Sequence, residues 1–264
     1  MRAGSARLAC RVSGQGSPVV LVHAGIADAR MWDPLVPRLA AEHAVVRYDL
    51  RGYGRSELPD GGFSHVEDLT AVLAATTDAP VHLVGASMGG RVALDLALDT
   101  PALVRSLVLL GAVVSGFDPD VEPPALWEDV VAAHRAGDLD ALADVEARMW
   151  LADPDGTRLP AGILDLVRDM DRIALGNELS GRAEERATEP PAVDRLGDLQ
   201  PPLLVIVGDL DLPDIRMAAD LLADHVPGTE RVVLDGVAHL PALERPEEVA
   251  RLIGRFIAQV EAGA

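Results

Sequence analysis

A chain of 264 residues is too long for a disulfide mini-protein and suits one large α/β domain or two small ones, and its 49% hydrophobic and 25% charged residues exclude general disorder. A formal net charge of −19 leaves no basic surface for phosphates or anionic lipid, so neither nucleic acid nor a membrane surface is expected as a partner. All 23 cations are arginine, which excludes a phosphate-loop, Schiff-base or pyridoxal lysine, and the single Cys10 excludes an intrachain disulfide or a multi-cysteine metal site.

In chain order, alternating Leu8 and Cys10 up to Gly14 predict an antiparallel edge strand, followed by an apolar strand over 19–22. His43 reads as the close of a helix before a strand over 44–48. Ser64-His65-Val66-Glu67 is a capping box that opens a helix. Short, mostly β-branched runs over 81–84, 106–110, 203–207 and 231–234 have the character of strands buried on both faces. Pro246-Glu247-Glu248 starts the last helix, with proline in its first turn and acids at the positive dipole end. Val249, Leu252, Ile253, Phe256, Ile257 and Val260 form its buried stripe.

Strand, glycine turn and helix recur, which predicts a mostly parallel α/β sheet flanked by helices. Between about 113 and 191 the alternation lapses into acid-rich, proline-punctuated helical sequence. The expected organisation is a core of residues 1–112 and 200–264 with an inserted helical cap over 113–199. Within that cap, Arg135, Arg148, Arg158, Arg168 and Arg172 alternate with Asp138, Asp144, Glu146, Asp165, Asp169 and Asp171 at helix spacing and read as solvated ion pairs. Trp127, Trp150, Met149 and Met31 read as packing residues of the cap.

The chemistry gathers around Gly85-Ala86-Ser87-Met88-Gly89, which follows the strand over 81–84 and opens a helix with Val92, Ala93, Leu96 and Ala97 on its apolar face. This is a G-x-S-x-G nucleophile elbow, where a sharp strand-to-helix turn leaves no room for side chains two residues either side of the serine. A serine hydroxyl needs a base. Of seven histidines, His239 lies in the loop leaving the last strand, and loops at the carboxyl ends of parallel strands are where sites form. His82, His43, His225 and His65 fall in strands or at helix ends and read as structural, and His134 lies in the cap. The orienting carboxylate is sought in the loop after 203–207, where Asp209 and Asp211 compete, with Asp118 and Asp120 as more distant candidates. Oxyanion donors are expected from the backbone N–H of Met88 and from the small turn after 19–22, where the N–H of Gly25 faces the site and His23 braces the loop.

These residues resemble the α/β-hydrolase fold family. Asp49-Leu50-Arg51-Gly52-Tyr53-Gly54-Arg55-Ser56 is similar to its D-x-R-G-x-G-x-S loop, Gly208 to Asp211 to its acid turn, and His239 with Pro241, Glu244 and Pro246 to its histidine loop. The likeness spans 5–112 and 200–262. It implies that the final acid of the turn, Asp211, is the orienting carboxylate and that the Asp49 to Ser56 loop is structural. One departure is His23-Ala24-Gly25, where the family usually has His-Gly and alanine restricts backbone angles that glycine permits. The turn that follows resembles the small capped bacterial members, among them enol-lactonases, meta-cleavage-product hydrolases and cofactor-free haloperoxidases. Ser87 rather than aspartate argues against the dehalogenase and epoxide hydrolase branches.

The expected activity is hydrolysis of a small carboxylic ester or lactone through an acyl-enzyme. Alternatives are C–C bond hydrolysis, cofactor-free haloperoxidase chemistry, or a ligand-binding member with little turnover. No cofactor or metal is expected, and the single cysteine and lack of a membrane-length apolar run suit a soluble, cytoplasmic protein.

Overall fold

Buried strands dominate the middle of a seven-stranded sheet in the computed structural model, which describes residues 1–263. The strands are β1 (Cys10–Ser13), β2 (Ser17–Val22), β3 (His43–Tyr48), β4 (Val81–Ala86), β5 (Val104–Leu110), β6 (Leu203–Gly208) and β7 (Glu230–Leu234). Their order across the sheet is β7-β6-β5-β4-β2-β3-β1, with β1 antiparallel to β3 and every other pair parallel. Every residue of β4 and β6 is buried, whereas β7 at the edge alternates and leaves Val233 46% exposed. The continuous apolar runs therefore mark central strands covered on both faces.

Alternation along the strands divides the core in two. Val20, Val22, Leu83, Leu107, Leu109, Val205 and Val207 face one side, where α1 (His65–Thr76), α2 (Met88–Asp99) and, from the far end of the chain, the helix Pro213–His225 pack. Val19, Leu21, Val84, Val108, Leu110, Leu204 and Ile206 face the other, against Trp32, Met31 and the stripe of the final helix Pro246–Ala262. Ser64 caps α1 by accepting from the Glu67 N–H at 3.3 Å, while the Glu67 carboxylate turns outward to Arg186. His43 opens β3 instead of closing a helix. The preceding helical turn ends at Leu39, and backbone from Ala40 to His43 passes so close to Gly14 and Gly16 that it already runs into the sheet.

Residues 113–199 contain α3 (Trp127–Ala136), α4 (Leu139–Trp150) and α5 (Ala161–Glu178). Gly137, at φ 67°, ends α3, and the Asp138 side chain caps α4 at 3.0 Å from the Ala141 N–H. Val130, Leu142, Ala143, Met149 and Leu175 form a small core between these helices, while Ala147, Leu151, Leu164, Val167 and Met170 join the core under the sheet's second face. We number the helices after them α6 (Pro213–His225) and α7 (Pro246–Ala262). Among the described residues no helix is long and apolar enough to cross a membrane.

Candidate active site

The elbow has the sterics its sequence implies. Ser87 sits at φ 51°, ψ −119° between β4 and α2, a conformation that costs an L-residue on the order of 1–3 kcal/mol. A Cβ on Gly85 would lie 2.5 Å from the Gly89 carbonyl, and one on Gly89 would lie 2.3 Å from the His23 carbonyl. Both glycines are therefore required by space. The turn is anchored by the Ser87 N–H, which donates to the Leu110 carbonyl at 2.9 Å.

The structure brings Ser87, His239 and Asp211 together. His239 Nε2 lies 2.8 Å from Ser87 Oγ, and Nδ1 lies 2.9 and 3.1 Å from the two Asp211 oxygens. With the Nδ1 proton held by a carboxylate, Nε2 is left as an acceptor facing the hydroxyl. The Leu212 N–H donates to Asp211 Oδ1 at 2.8 Å and fixes the carboxylate. All three side chains are buried, with Ser87 7%, His239 1% and Asp211 4% exposed. The acid turn and the histidine loop meet because Gly208 has no side chain, since a Cβ there would lie 2.0 Å from the Val237 carbonyl.

Asp209 does different work. Its Oδ1 accepts from the Gly236 N–H at 2.8 Å and ties the acid turn to the start of the histidine loop. Asp118 and Asp120 are exposed, and neither bonds to the imidazole, whose ring nitrogens face Asp211 and Ser87. His82 pairs with Ser106 inside the sheet, His65 packs edge-on to Phe63, His225 closes α6, and His134 is exposed on α3.

Gly25 and Met88 lie against each other, with the Gly25 Cβ position 3.6 Å from the Met88 Cβ. The Gly25 N–H has no hydrogen-bond partner among the described residues, and Met88 opens α2, where a helix leaves its first N–H groups unpaired. Two N–H groups without a partner among the described residues thus lie close to one another next to Ser87. Ala24 does not strain this loop, because neither it nor Gly25 adopts a positive φ. His23 is a brace, its Nδ1 2.8 Å from the Ala24 carbonyl and its Nε2 accepting from the Leu50 N–H at 2.8 Å.

Four side chains around the site have roles there that the sequence did not assign. Trp150, expected as cap packing, lies over His239 with ring centroids 4.3 Å apart, and its carbonyl accepts from the His239 N–H at 3.3 Å. Tyr53, from the loop resembling a structural motif, points its hydroxyl at Met88 Sδ, 3.6 Å away, and burial pushes that phenol well above its usual range. Glu244 accepts from the N–H groups of Ala238 and Leu240, at 2.9 and 3.1 Å, and so clamps the backbone on both sides of His239. Arg158 reaches across 86 residues to Glu244 at 2.7 Å and donates to the Gly236 carbonyl at 3.0 Å. The sequence signal for Glu244 was its place in the histidine-loop pattern; Arg158 had none.

Arg158 is thus not a solvated pair of the insertion's own acids. Arg148 pairs with Asp144 and Arg168 with Asp165 at helix spacing, while Arg168 and Arg172 also reach from α5 across to Asp144 and Asp140 on α4. Asp171 departs from the expectation altogether: it is 2% exposed and has no hydrogen-bond or ion-pair partner among the described residues. Burial, with the charges of Glu146 and Glu178 nearby, pushes Asp171 up to about 8, and burial raises Glu146 to about 7. No group of three or more His, Cys, Asp or Glu able to hold a metal ion occurs among the described residues.

Residues 19–252 match the alpha/beta hydrolase family. The pimeloyl-[acyl-carrier protein] methyl ester esterase of Neisseria meningitidis serogroup C is 32% identical over 248 residues, covering 90% of this chain and 93% of that one. Among solved structures, the enol-lactonase from Burkholderia xenovorans LB400 superposes with TM-score 0.80 at 24% identity, covering 97% of this chain and 98% of that one. A thermophilic esterase from Thermogutta terrifontis superposes with TM-score 0.76 at 28% identity, covering 96% and 93%. The chain belongs to the alpha/beta hydrolase family and is a serine hydrolase of the esterase type.

Proposed function

We propose that this enzyme hydrolyses a small carboxylic ester or lactone through an acyl-enzyme on Ser87, with His239 as base, Asp211 as orienting acid and the Gly25 and Met88 N–H groups as oxyanion donors. The observation that carries the reading is the 2.8 Å contact between Ser87 Oγ and a His239 Nε2 whose other nitrogen faces the Asp211 carboxylate. Ser87 Oγ attacks the carbonyl carbon while its proton passes to Nε2, and the carbonyl oxygen takes the negative charge toward the two N–H groups. Collapse of the tetrahedral intermediate breaks the C–O bond, and the leaving alkoxide takes the proton from Nε2. Water then attacks the acyl carbonyl, gives a proton to Nε2, and Ser87 leaves with that proton restored. Asp211 keeps the imidazolium of each half-reaction paired in a site with little water.

A methyl ester is the substrate named for the Neisseria relative, which supports an ester over a C–C bond. We read residues 113–199 as a cap, since α4 brings Trp150 over His239 and Arg158 holds the histidine loop from the same segment. One half-buried cysteine requires no oxidising compartment, and we read the enzyme as cytoplasmic. The test is labelling with an active-site-directed fluorophosphonate and peptide mass spectrometry. One adduct on Ser87 is expected, with hydrolysis of a short p-nitrophenyl ester lost in Ser87→Ala. An adduct elsewhere, or undiminished turnover in that variant, overturns the mechanism.

A further inference from the structure

Four arginines line one cleft of about 410 Å³ beside the edge of the sheet: Arg11 on β1, Arg47 on β3, Arg30 from the turn after β2 and Arg55 from the Asp49 to Ser56 loop. A chain with 42 acids and 23 cations has acid to spare for every arginine, so cations gathered in one place and left unanswered run against its composition. Register brings two of them closer still. Arg11 and Arg47 are direct partners across the antiparallel pair of β1 and β3, so their side chains leave the same face of the ladder as neighbours. Like charges in that position cost stability, and Arg11 is exposed, so packing does not require it there.

The acids that line the cleft are committed. Asp28 chelates Arg30 through Nε and Nη2, at 2.8 to 3.1 Å, and Asp33 holds Arg47. The two oxygens of Asp49 accept from the backbone N–H groups of Ala29 and Arg55, at 2.9 and 2.8 Å. Among the described residues Arg11 and Arg55 make neither an ion pair nor a side-chain hydrogen bond, and Arg30 Nη1 has no partner. Asp169 on α5 bears on Arg30 from outside the cleft without pairing with it. The lining therefore carries four positive charges against three negative ones, on a protein of formal net charge −19. Its remaining surface is partly apolar, from Ala9, Cys10, Ala29 and the 40% exposed Ile173 of α5. Burial pushes the Cys10 thiol up, so it adds no negative charge.

We propose that this cleft is a second binding site, separate from the catalytic serine, for a small organic anion that carries a carboxylate or a phosphate on a short apolar body. None of Ser87, His239, Asp211, Gly25 and Met88 lines it. A guanidinium fork offers paired N–H donors to either anionic group, and the volume is that of a small-molecule site. An anion in the cleft answers the unpaired charges of Arg11 and Arg55 and screens Arg11 from Arg47, while Ile173 covers the apolar body. Ile173 belongs to the insertion, whereas Ala29 and Arg55 belong to the loops that carry Gly25 and Tyr53. α5 already touches the first of these loops, where the Asp28 N–H donates to Met170 Sδ at 3.4 Å. Occupancy therefore bridges the insertion and both loops.

The test is a fluorine NMR titration of the protein with p-fluorobenzoate, p-fluorophenyl phosphate and the neutral p-fluorobenzyl alcohol at constant ionic strength. At least one anion is expected to bind with a Kd of ~1 mM or tighter, and the alcohol ~10-fold or more weaker. The tighter of the two anions identifies the group that the site recognises. Arg11→Gln and Arg55→Gln should each weaken anion binding by ~10-fold. Arg105→Gln, which removes an exposed and unpaired arginine outside the cleft, should leave it unchanged. Without ligand, Arg11→Gln should melt at or above the temperature of the parent protein, because it removes a like-charged neighbour of Arg47. Melting at a lower temperature would show that Arg11 serves the fold, and would overturn its assignment to a ligand. Absence of binding by both anions at ~10 mM, equal affinity for the alcohol, binding unmoved by the two cleft variants, or equal weakening by Arg105→Gln overturns the site.

Discussion

Replacing Asp211 by asparagine removes one oxygen and the charge from a group that serves His239 Nδ1 at 2.9 and 3.1 Å and the Leu212 N–H at 2.8 Å. The amide has two placements, and both fail. With its NH2 toward the imidazole, Nδ1 becomes the acceptor, the ring proton moves to Nε2, and Nε2 can no longer take the Ser87 proton. With its NH2 in the place of Oδ1, the oxygen that Nδ1 and the Leu212 N–H share, the Leu212 N–H faces an NH2 and is left unpaired in a buried site, at about 1–3 kcal/mol. In either case no negative charge remains to hold the imidazolium where His239 is 1% exposed. Loss of an orienting acid in a triad reaches ~10⁴ in turnover, or about 5 kcal/mol at 1.36 kcal/mol per decade. Asp211→Asn is expected to lower kcat by at least ~10². Asp209→Asn keeps an oxygen for the Gly236 N–H and is expected to cost less than ~10-fold. The assay is kcat and kcat/KM on a short p-nitrophenyl ester, with circular dichroism and melting curves showing both variants folded. The reverse order would move the role to Asp209, and near-normal turnover in both would remove it from the acid turn.

Arg158→Ala should destabilise the fold by about 3 kcal/mol and lower kcat, because it strips the cation from a Glu244 side chain 1% exposed that clamps the histidine loop. Unchanged urea midpoints and unchanged kcat would show that the clamp holds without it. Asp171 makes stability fall with pH. Its folded value of about 8 lies above its ordinary 3.8, so between these limits the native state holds a proton the unfolded chain has released. The expected loss is about 1.4 kcal/mol per pH unit at most, absent in Asp171→Asn. Urea melts at about pH 5 and about pH 7 read it, and parallel slopes in the two proteins refute it. Glu146, raised to about 7, adds to the fall in the same window and His65, lowered to about 3, opposes it, but both act alike in the two proteins, so the difference between their slopes carries the test. Gly89→Ala should abolish the soluble folded enzyme, since the new methyl would lie 2.3 Å from the His23 carbonyl; a folded, active variant would refute the packing of the elbow.

Local sterics and periodicity wrote much of this molecule into its sequence. The elbow is legible because Gly85 and Gly89 are demanded by backbone only a few residues away or on the neighbouring strand, and the apolar run before Ser87 identifies the strand that feeds it. His239 stands out from six other histidines because it follows a strand, and the acid turn because it follows the strand before. The chain order of the sheet then makes their loops neighbours. The choice between Asp211 and Asp209 came from resemblance, since both lie on the same short turn. Folding separates them by direction, one toward Nδ1 and the other toward the Gly236 N–H.

What helices do to one another was not written locally. Amphipathic spacing identifies the inward face of α4 and α5 but not what meets it, so Trp150 read as packing until the fold laid it on His239. Asp169 and Asp171 look alike in sequence, and the way α5 docks leaves the first exposed and the second buried. Arg158 and Glu244 are 86 residues apart, and no local pattern joins them. Strands and turns are decided by short-range backbone constraints that a sequence displays directly. The surroundings of the site depend on long-range packing, where the energy of each contact exists only after both partners have been brought together.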